Sequence, residues 1–358
     1  MSKIDKFVTE FGHEIPLVQG YLESCGDFAL NYYKQQDYDH GLIQADNQPM
    51  DFSLPAKDWV NVSTMIHFMG RFGLLKKRKN AIDLGGAEGT AMRLFKAAGM
   101  VEEATSVDIE DFSAQTGGNY FEDFIAFITN MNVYPGANAD RIRDSVFRCK
   151  NVFDHFPNQS LETGLYLDFP NPPKLDHDLH MSALDVTGKY DFVTVFSCFE
   201  YFDLDVALPK VREILNPGGL FVLQGEYWWW AVNSTGILGH FPYAGQRLSF
   251  SDLERYASEH QPDLLDAIQT KYHFYHQGKH RPTITDWFSL ARKHGLRPIA
   301  VHRAQAKRHH RLDLCPPAFF KMPWFDHREV LRDIHYLNPS VTVDDLLTSA
   351  FYIAMEPI

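Results

Sequence analysis

The spacing of apolar residues along the chain alternates between a helical and an extended pattern. Apolar residues recur at mixed three- and four-residue spacings over 14–36 and 57–75, which predicts two amphipathic helices. Further along, short apolar runs end at glycines or polar turn residues, as buried strands do. The pattern predicts strands at 80–84, 104–111, 180–186, 190–199, 219–227, 297–304 and 346–357, with helices at 89–98, 204–215 and 284–295. Because these strands alternate with helices, we expect an α/β fold with a mainly parallel sheet.

Three long segments interrupt this alternation, at about 112–175, 231–282 and 305–345. Insertions of this length in a compact domain are often lids or binding loops. We therefore expect residues 1–75 to form an N-terminal helical cap, and residues 76–358 to form one α/β domain that carries the three insertions.

Composition narrows the class of protein. The net charge of −12 argues against a general nucleic-acid binder, because phosphate contacts need a basic surface. The four cysteines are widely scattered, which suits a reducing cytosol. No run of about 18 apolar residues occurs, so no membrane span is expected. These features predict a cytoplasmic globular protein that binds neither nucleic acid nor membrane. They are compatible with a homodimer.

The candidate chemistry begins at the first strand, where residues 81–89 read AIDLGGAEG. A dinucleotide fingerprint counted from Gly85 requires glycines where the chain has Ala87 and Thr90, and the Gly-Lys-Ser/Thr end of a phosphate loop is absent. What remains is an acidic residue, Asp83, followed by glycines that let the backbone approach a ligand closely.

Two further acids follow predicted strands. Asp108 lies 19 residues beyond Gly89 (108 − 89), near the offset of about 20 at which a carboxylate binds ribose hydroxyls. Asp185 closes the strand predicted at 180–186. Each residue alone has a structural alternative, as a turn residue or a cap. Together, the acids at successive strand ends favour a nucleotide-like cofactor.

Across 80–227, the series IDLGGAEG, SVDIED, SALDV, YDFVTVFSCFEYF and EILNPGGLFVL resembles the successive motifs of class I S-adenosylmethionine-dependent methyltransferases. The resemblance implies a Rossmann-like, seven-stranded, mainly parallel sheet with helices on both faces. It also implies S-adenosylmethionine as the cofactor. The family usually has glycine where this chain has Ala87, so the chain departs from the family motif at this one position.

By the same resemblance, Asp83 and the loop Gly85–Gly89 approach the methionine part of the cofactor, Asp108 holds the ribose hydroxyls, and Leu184 with Asp185 contacts the adenine. The full set of cofactor-binding residues expected from the resemblance is Asp83, Gly85, Gly86, Ala87, Gly89, Asp108, Ile109, Leu184, Asp185 and Ser197.

Candidates for catalysis and acceptor binding come from the segments that family members use for the substrate pocket. Tyr201, after the fourth strand, and His240, in the second insertion, are the candidate polar groups near the transferring methyl. The aromatic side chains of these segments are suited to stacking on a substrate or surrounding a cation. They are equally suited to packing an insertion onto the sheet. The expected substrate contacts are Tyr33, Tyr38, Glu226, Trp228, Trp229 and Tyr243, with Arg247, His273, His276 and His280 as further candidates in the second insertion.

A metal site is the main chemical alternative. The segment DHDLH offers Asp176, His177, Asp178 and His180, and a His pair stands at 309–310. Neither repeats at a recognised zinc spacing, so no metal is expected.

Together these features predict methyl transfer to an oxygen or nitrogen of a polar small-molecule metabolite, such as a sugar or a natural-product intermediate. Such a transfer requires alignment and exclusion of water, with a base only where the acceptor loses a proton. Two alternatives stay open: a protein or peptide methyltransferase, and a non-enzymatic protein that binds the cofactor as a scaffold.

Overall fold

The structure is a computed structural model, and it describes residues 6–17, 53–110, 174–199, 202–226, 241, 243–260, 262, 265, 282–305 and 326–358. These residues divide into two compact units. The sheet unit comprises the described parts of Asn47–Gly225, Leu290–His302 and Tyr352–Ile358. The second unit comprises the described parts of Met1–Asp46, Glu226–Ser289 and Arg303–Phe351. The helix predicted at 57–75 therefore groups with the sheet, whereas the predicted cap placed it with the N-terminus.

The described elements follow one another along the chain as strands and helices of ordinary length. The strands are β1 (Lys6–Val8), β2 (Glu14–Pro16), β3 (Arg78–Leu84), β4 (Val101–Asp108), β5 (His177–His180), β6 (Tyr190–Phe196), β7 (Leu215–Glu226), β8 (Leu296–Gln305) and β9 (Thr348–Pro357). The helices are α1 (Ser53–Arg71), α2 (Thr90–Ala97), α3 (Leu204–Ile214), α4 (Ala244–Arg247), α5 (Phe250–His260), α6 (Ile284–Lys293), α7 (His327–His335) and α8 (Val343–Leu347).

Seven of these strands form one sheet in the order β5-β4-β3-β6-β7-β9-β8. The pairs β3–β4, β3–β6, β4–β5 and β6–β7 are parallel. The strand order reverses at β3, since β4 lies on one side of it and β6 on the other. In open α/β sheets a ligand binds beside such a switch point, at the carboxyl ends of the strands. The predicted α/β fold class is confirmed.

The sheet unit is stabilised by an apolar core between its helices and strands. Met65 of α1 is fully buried there, as is Phe95 of α2, whose ring meets that of Phe192 of β6 edge to face at 5.3 Å. Burial of one such side chain contributes about 1.5–3 kcal/mol. This core fixes β3 and α2, and therefore the loop that joins them.

Two predicted elements are wrong. The third strand of the sheet is His177–His180, not 180–186, and residues 183–185 form a turn. At the N-terminus, a helix was predicted from residue 14, but Glu14–Pro16 is a strand that pairs antiparallel with Lys6–Val8. The rest of that predicted helix, from residue 18 onwards, lies outside the described residues.

The second unit has its own apolar core. Phe7 of β1 contacts Tyr256 of α5, with ring centroids 5.4 Å apart, and Phe241 meets the same tyrosine from another side. Near this core, Asp333 of α7 accepts hydrogen bonds from Arg247 of α4 at 2.7 and 3.0 Å. Because both side chains are buried, the charges compensate each other away from water.

Candidate functional site

The loop after β3 is held against the end of β4. The N–H groups of Gly85 and Gly86 both donate to the carbonyl oxygen of Val107, at 2.8 and 3.0 Å. Gly89 then donates to the carbonyl oxygen of Gly86 at 2.8 Å, which closes a turn directly before α2. The loop therefore lies at the carboxyl edge of the sheet, with the N-terminus of α2 following it.

Close packing explains two of the glycines in this loop. Gly85 has φ +75°, and a Cβ there would stand 2.5 Å from the sulfur of Cys198. A Cβ on Gly86 would stand 2.2 Å from the hydroxyl oxygen of Ser106. Both distances are shorter than any real contact, so a side chain at either position would displace Cys198 or Ser106.

Ala87 adopts the backbone conformation that favours glycine, with φ +47°. Its N–H donates to Oδ2 of Asp108 at 3.0 Å, while the N–H of Glu110 donates to Oδ1 at 3.2 Å. The Asp108 carboxylate therefore ties the loop to the end of β4. Since a carboxylate accepts about four hydrogen bonds, two such contacts leave Asp108 able to accept more from a ligand.

Asp83 lies beneath this loop, with only 1% of its surface exposed. Its Oδ1 accepts a hydrogen bond of 2.8 Å from the hydroxyl of Thr194, the residue opposite it on β6. Burial raises the pKa of Asp83 to about 7; the Thr194 hydroxyl opposes that shift and the charge of Asp108 adds to it. The sequence indicated Asp83 but missed Thr194, whose only signal is a polar residue inside the apolar run YDFVTVF.

Ser197 follows β6 with φ +48°. Its hydroxyl donates to Oε1 of Gln224 at 2.7 Å, and its N–H donates to the Gln224 carbonyl oxygen at 3.0 Å. The next residue, Cys198, donates its thiol to the Leu84 carbonyl oxygen at 3.0 Å. These contacts join the ends of β3, β6 and β7. A polar residue within the run GLFVLQGE is the sequence signal that identifies Gln224.

Apolar side chains are exposed beside Asp108. Ile109 is 75% exposed and Met181, the residue after β5, is 39% exposed. Met181 lies next to Asp108 because its N–H donates to the Asp108 carbonyl oxygen at 2.9 Å. By contrast, Leu184 and Asp185 lie in the turn beyond the strand, bonded through their N–H groups to Ser182. The strand end that the sequence placed at Asp185 is therefore at His180.

This edge has the chemistry that a purine nucleoside requires. A carboxylate that can accept further hydrogen bonds binds the two hydroxyls of a ribose, and exposed apolar side chains pack against the flat face of the base. The described residues Asp108, Ile109 and Met181 offer both at neighbouring strand ends. The residues present therefore fit an adenosine-containing cofactor.

Several predicted site residues lie outside the described residues: Tyr33, Tyr38, Tyr201, Trp228, Trp229, His240, His273, His276 and His280. Glu226 is described only as the last residue of β7. Tyr243 and Arg247 are buried in the second unit. The Tyr243 hydroxyl donates to the Leu346 carbonyl oxygen at 2.7 Å, and burial raises the pKa of Tyr243. Packing and hydrogen bonding account for both residues, so neither supports the expected substrate contact.

The acidic and histidine-rich segment DHDLH consists of Asp176 and β5, and its first residue has a structural role. Asp176 accepts hydrogen bonds from Lys96 at 2.6 Å and from the Ala104 N–H at 2.7 Å. Burial is the largest single influence on the pKa of Asp176 and raises it, but the two hydrogen bonds and the nearby cations together lower the pKa. Within the described part of the chain, no group of three His, Cys, Asp or Glu side chains is arranged to hold a metal ion. Nor does any helix there have the length and apolar character to cross a membrane.

Comparison with known families identifies the class of protein. A family model described as a methyltransferase domain matches residues 61–300, about two-thirds of the chain. The chain therefore belongs to the methyltransferase-domain family. It is an S-adenosylmethionine-dependent methyltransferase, as the series of motifs across the sheet predicted. No curated protein matches the chain.

Solved structures of methyltransferases resemble this chain distantly. A geranyl diphosphate C-methyltransferase from Streptomyces coelicolor A3(2) has 12% sequence identity and a TM-score of 0.38, covering 87% of this chain and 86% of that one. A phosphoethanolamine N-methyltransferase 2 from Haemonchus contortus has 13% identity and a TM-score of 0.39, covering 96% and 62%. Similarity at this level gives no information on the acceptor.

Proposed function

We propose that this protein transfers a methyl group to an oxygen or nitrogen of a polar small-molecule metabolite, of the sugar or natural-product class. The observation that carries the cofactor half of this proposal is the Asp108 carboxylate, which accepts the Ala87 N–H while Ile109 beside it stays exposed. The acceptor half rests on the acidic net charge of −12, the long insertions and their aromatic residues.

Each residue at the edge of the sheet has a proposed role toward the cofactor. Asp108 accepts hydrogen bonds from the ribose hydroxyls, and Ile109 with Met181 covers the adenine. The backbone of Gly85–Gly89 approaches the methionine part, above the buried Asp83. Leu184, Asp185 and Ser197 are kept as proposed contacts at the rim of this site. Met181 replaces Leu184 as the proposed residue nearest the base, because β5 ends at His180.

The cofactor supplies an activated methyl on a sulfonium, so the protein has only to align the acceptor and exclude water. An oxygen or nitrogen acceptor also loses a proton, which requires a nearby base. Tyr201 and His240 are the proposed polar groups for that step. The proposed walls of the acceptor pocket are Tyr33, Tyr38, Glu226, Trp228 and Trp229.

Calorimetry tests the cofactor half. Titration of the purified chain with S-adenosylhomocysteine is expected to release heat, and titration with NAD(H) is expected to release none. Asp108→Ala is expected to abolish the first signal. Heat with NAD(H) alone would contradict the proposed cofactor site.

A labelled methyl donor tests the acceptor half. The chain is incubated with a metabolite extract and, separately, with a polypeptide extract, and the label is expected only in small molecules. Label in polypeptides would favour a protein or peptide methyltransferase. Label in neither, with the cofactor bound and the biological activity intact in Asp108→Ala, would indicate a scaffold protein.

A further inference from the structure

The glycine loop contains a carboxylate that the proposed cofactor contacts do not use. Glu88 is only 8% exposed, although it lies in a loop. Within the described residues its Oε2 has no hydrogen-bond partner. A buried carboxylate oxygen that accepts no hydrogen bond lowers the stability of the folded protein, so its presence here needs an explanation.

The neighbours of Glu88 increase this cost. Burial raises the pKa of Glu88, and the charge of Asp108 raises it further. Asp108 acts in the same direction on Asp83. In the described part of the chain, no ion pair links any of these three carboxylates to a Lys, Arg or His side chain. Among the described residues, three acids from the loop and the ends of β3 and β4 therefore share one region, and none of them forms an ion pair.

An uncompensated negative region of this kind is stabilised by a positively charged ligand. In the proposed reaction, the bond between sulfur and the methyl carbon breaks as the bond between that carbon and the acceptor forms. The bonding electron pair stays on sulfur, and the acceptor proton leaves to a base. The cofactor enters with a sulfonium charge and leaves as a neutral thioether, so the ligand loses one positive charge at its sulfur.

We propose that Glu88 is a specificity-determining residue, whose buried charge makes the glycine loop prefer the sulfonium-bearing donor over the thioether product. The inference rests on the proposed function, since it needs the cofactor to bind at this loop. Glu88 acts through space: its Oε2 is enclosed by protein, and no direct contact with the cofactor is required. The preference speeds exchange of spent product for fresh donor.

The test compares three ligands by calorimetry: S-adenosylmethionine, sinefungin, which carries a protonated amine in place of the sulfonium, and S-adenosylhomocysteine. Glu88→Gln keeps the shape of the side chain and removes its charge. We expect affinity for the two cationic ligands to fall about tenfold, as for one unit charge at roughly 10 Å and an effective dielectric constant of about 20. Affinity for the neutral product is expected to change less than about twofold, since it lacks that charge.

Two variants serve as controls. Glu103→Gln removes an equal charge from an exposed position near the other end of β4, roughly 16 Å along the strand from Asp108, and is expected to leave all three affinities unchanged. Glu88→Asp keeps the charge and is expected to keep the preference. Unfolding of the ligand-free Glu88→Gln protein is expected at a higher temperature, because a repelled buried charge is gone. Glu88→Met provides a second neutral side chain if Gln disturbs the loop.

The outcomes separate this inference from the proposed function. Equal losses for all three ligands, or no loss for any, in Glu88→Gln and Glu88→Met would overturn the role of Glu88. Binding of none of the three ligands by the unmodified chain would instead overturn the cofactor site itself.

Discussion

Both units of this protein bury aspartates, and Asp333 of the second unit has different hydrogen-bond partners from Asp83 of the sheet unit. In the second unit, Asp333 accepts hydrogen bonds from Arg247 and Arg332, and lies 3.0 Å from Nδ1 of His13. In the sheet unit, Asp83 accepts a hydrogen bond from the neutral hydroxyl of Thr194. One carboxylate is surrounded by cationic partners, and the other lies near further acids.

The difference separates a structural charge from one that is suited to a ligand. Asp333 joins β1–β2, α4 and α7, so its ion pairs fix the arrangement of the second unit. Burial lowers the pKa of Arg247, and the Asp333 charge opposes that shift. At the edge of the sheet where the cofactor is proposed to bind, Asp83, Glu88 and Asp108 form no ion pair with any described residue. Ligand-binding sites of this kind often destabilise the folded protein while no ligand is bound.

The largest effect is expected from removing a cation of the second unit. Arg247→Met leaves Asp333 buried without its strongest partner, which typically costs about 3–5 kcal/mol. Chemical denaturation measures this free energy of unfolding. Arg328→Met removes an exposed arginine that pairs with Asp326, and should leave the midpoint of unfolding unchanged. Equal effects from the two variants would mean that the buried pair contributes no more than a surface pair.

A large pH effect is expected at Asp83. Its pKa of about 7 in the folded protein lies above the value of about 3.9 in the unfolded chain. The folded state therefore keeps a proton that the unfolded chain releases, so the free energy of unfolding falls as pH rises from about 4 to 7. The fall reaches roughly 4 kcal/mol at 1.36 kcal/mol per pH unit, and this contribution is constant above pH 7.

Asp83→Asn should remove this part of the pH dependence. Denaturation of both proteins at several pH values measures the difference between them. Asp178→Asn, at an exposed position on β5, is the control and should follow the unmodified chain. If the free energy of unfolding varied with pH in the same way for Asp83→Asn and the unmodified chain, the pKa of Asp83 would not be raised in the folded protein.

The cofactor site is tested by a matched pair of aspartates. If Asp108 binds two ribose hydroxyls as proposed, Asp108→Asn weakens those bonds, and affinity for S-adenosylhomocysteine is expected to fall about ten- to hundredfold. Asp185→Asn, beyond the end of β5, should cost less than about threefold. Calorimetry of both variants measures the ratio. A larger loss in Asp185→Asn than in Asp108→Asn would favour Asp185 as the main cofactor-binding carboxylate.

The smallest effect is expected at Ala87. Glycine relieves the strain of a positive φ but increases the entropy of the unfolded chain, so Ala87→Gly should stabilise by about 1 kcal/mol or less. Ala91→Gly, within α2, should destabilise by a similar amount. Thermal unfolding of the two variants shows which one raises and which one lowers the unfolding temperature. Destabilisation by Ala87→Gly would show that the Ala87 methyl contributes packing that outweighs its backbone strain.

The central strands were predictable from sequence alone. β3, β4 and β6 each contain a short run of buried residues, and burial on both faces makes such runs distinctive, although β4 ends at Asp108 and not at 111. The loop glycines and Asp108 were predictable for the same reason, because they follow directly from those strand ends. The structure also adds Thr194 and Gln224, polar residues that bond beneath the site from strands distant in sequence.

The edge strand and the N-terminal hairpin were not predictable by the same pattern. β5 reads HDLH and is mostly exposed, whereas Ala183 and Val186 of the following turn are buried and imitate a strand. Similarly, β2 is a strand because it pairs with β1 and because Phe7 packs on Tyr256, almost 250 residues away. Long-range pairing overrides local spacing at both places.

The sequence by itself determined the α/β fold class, the central strands and the identity of the cofactor, because each depends on local runs of residues and their order. Tertiary structure alone decided which carboxylates are compensated. The sequence alone does not show which of the carboxylates Asp83, Glu88 and Asp333 is paired with a cation. Their charges acquire different roles only when folding places Arg247 beside one and Asp108 beside the others.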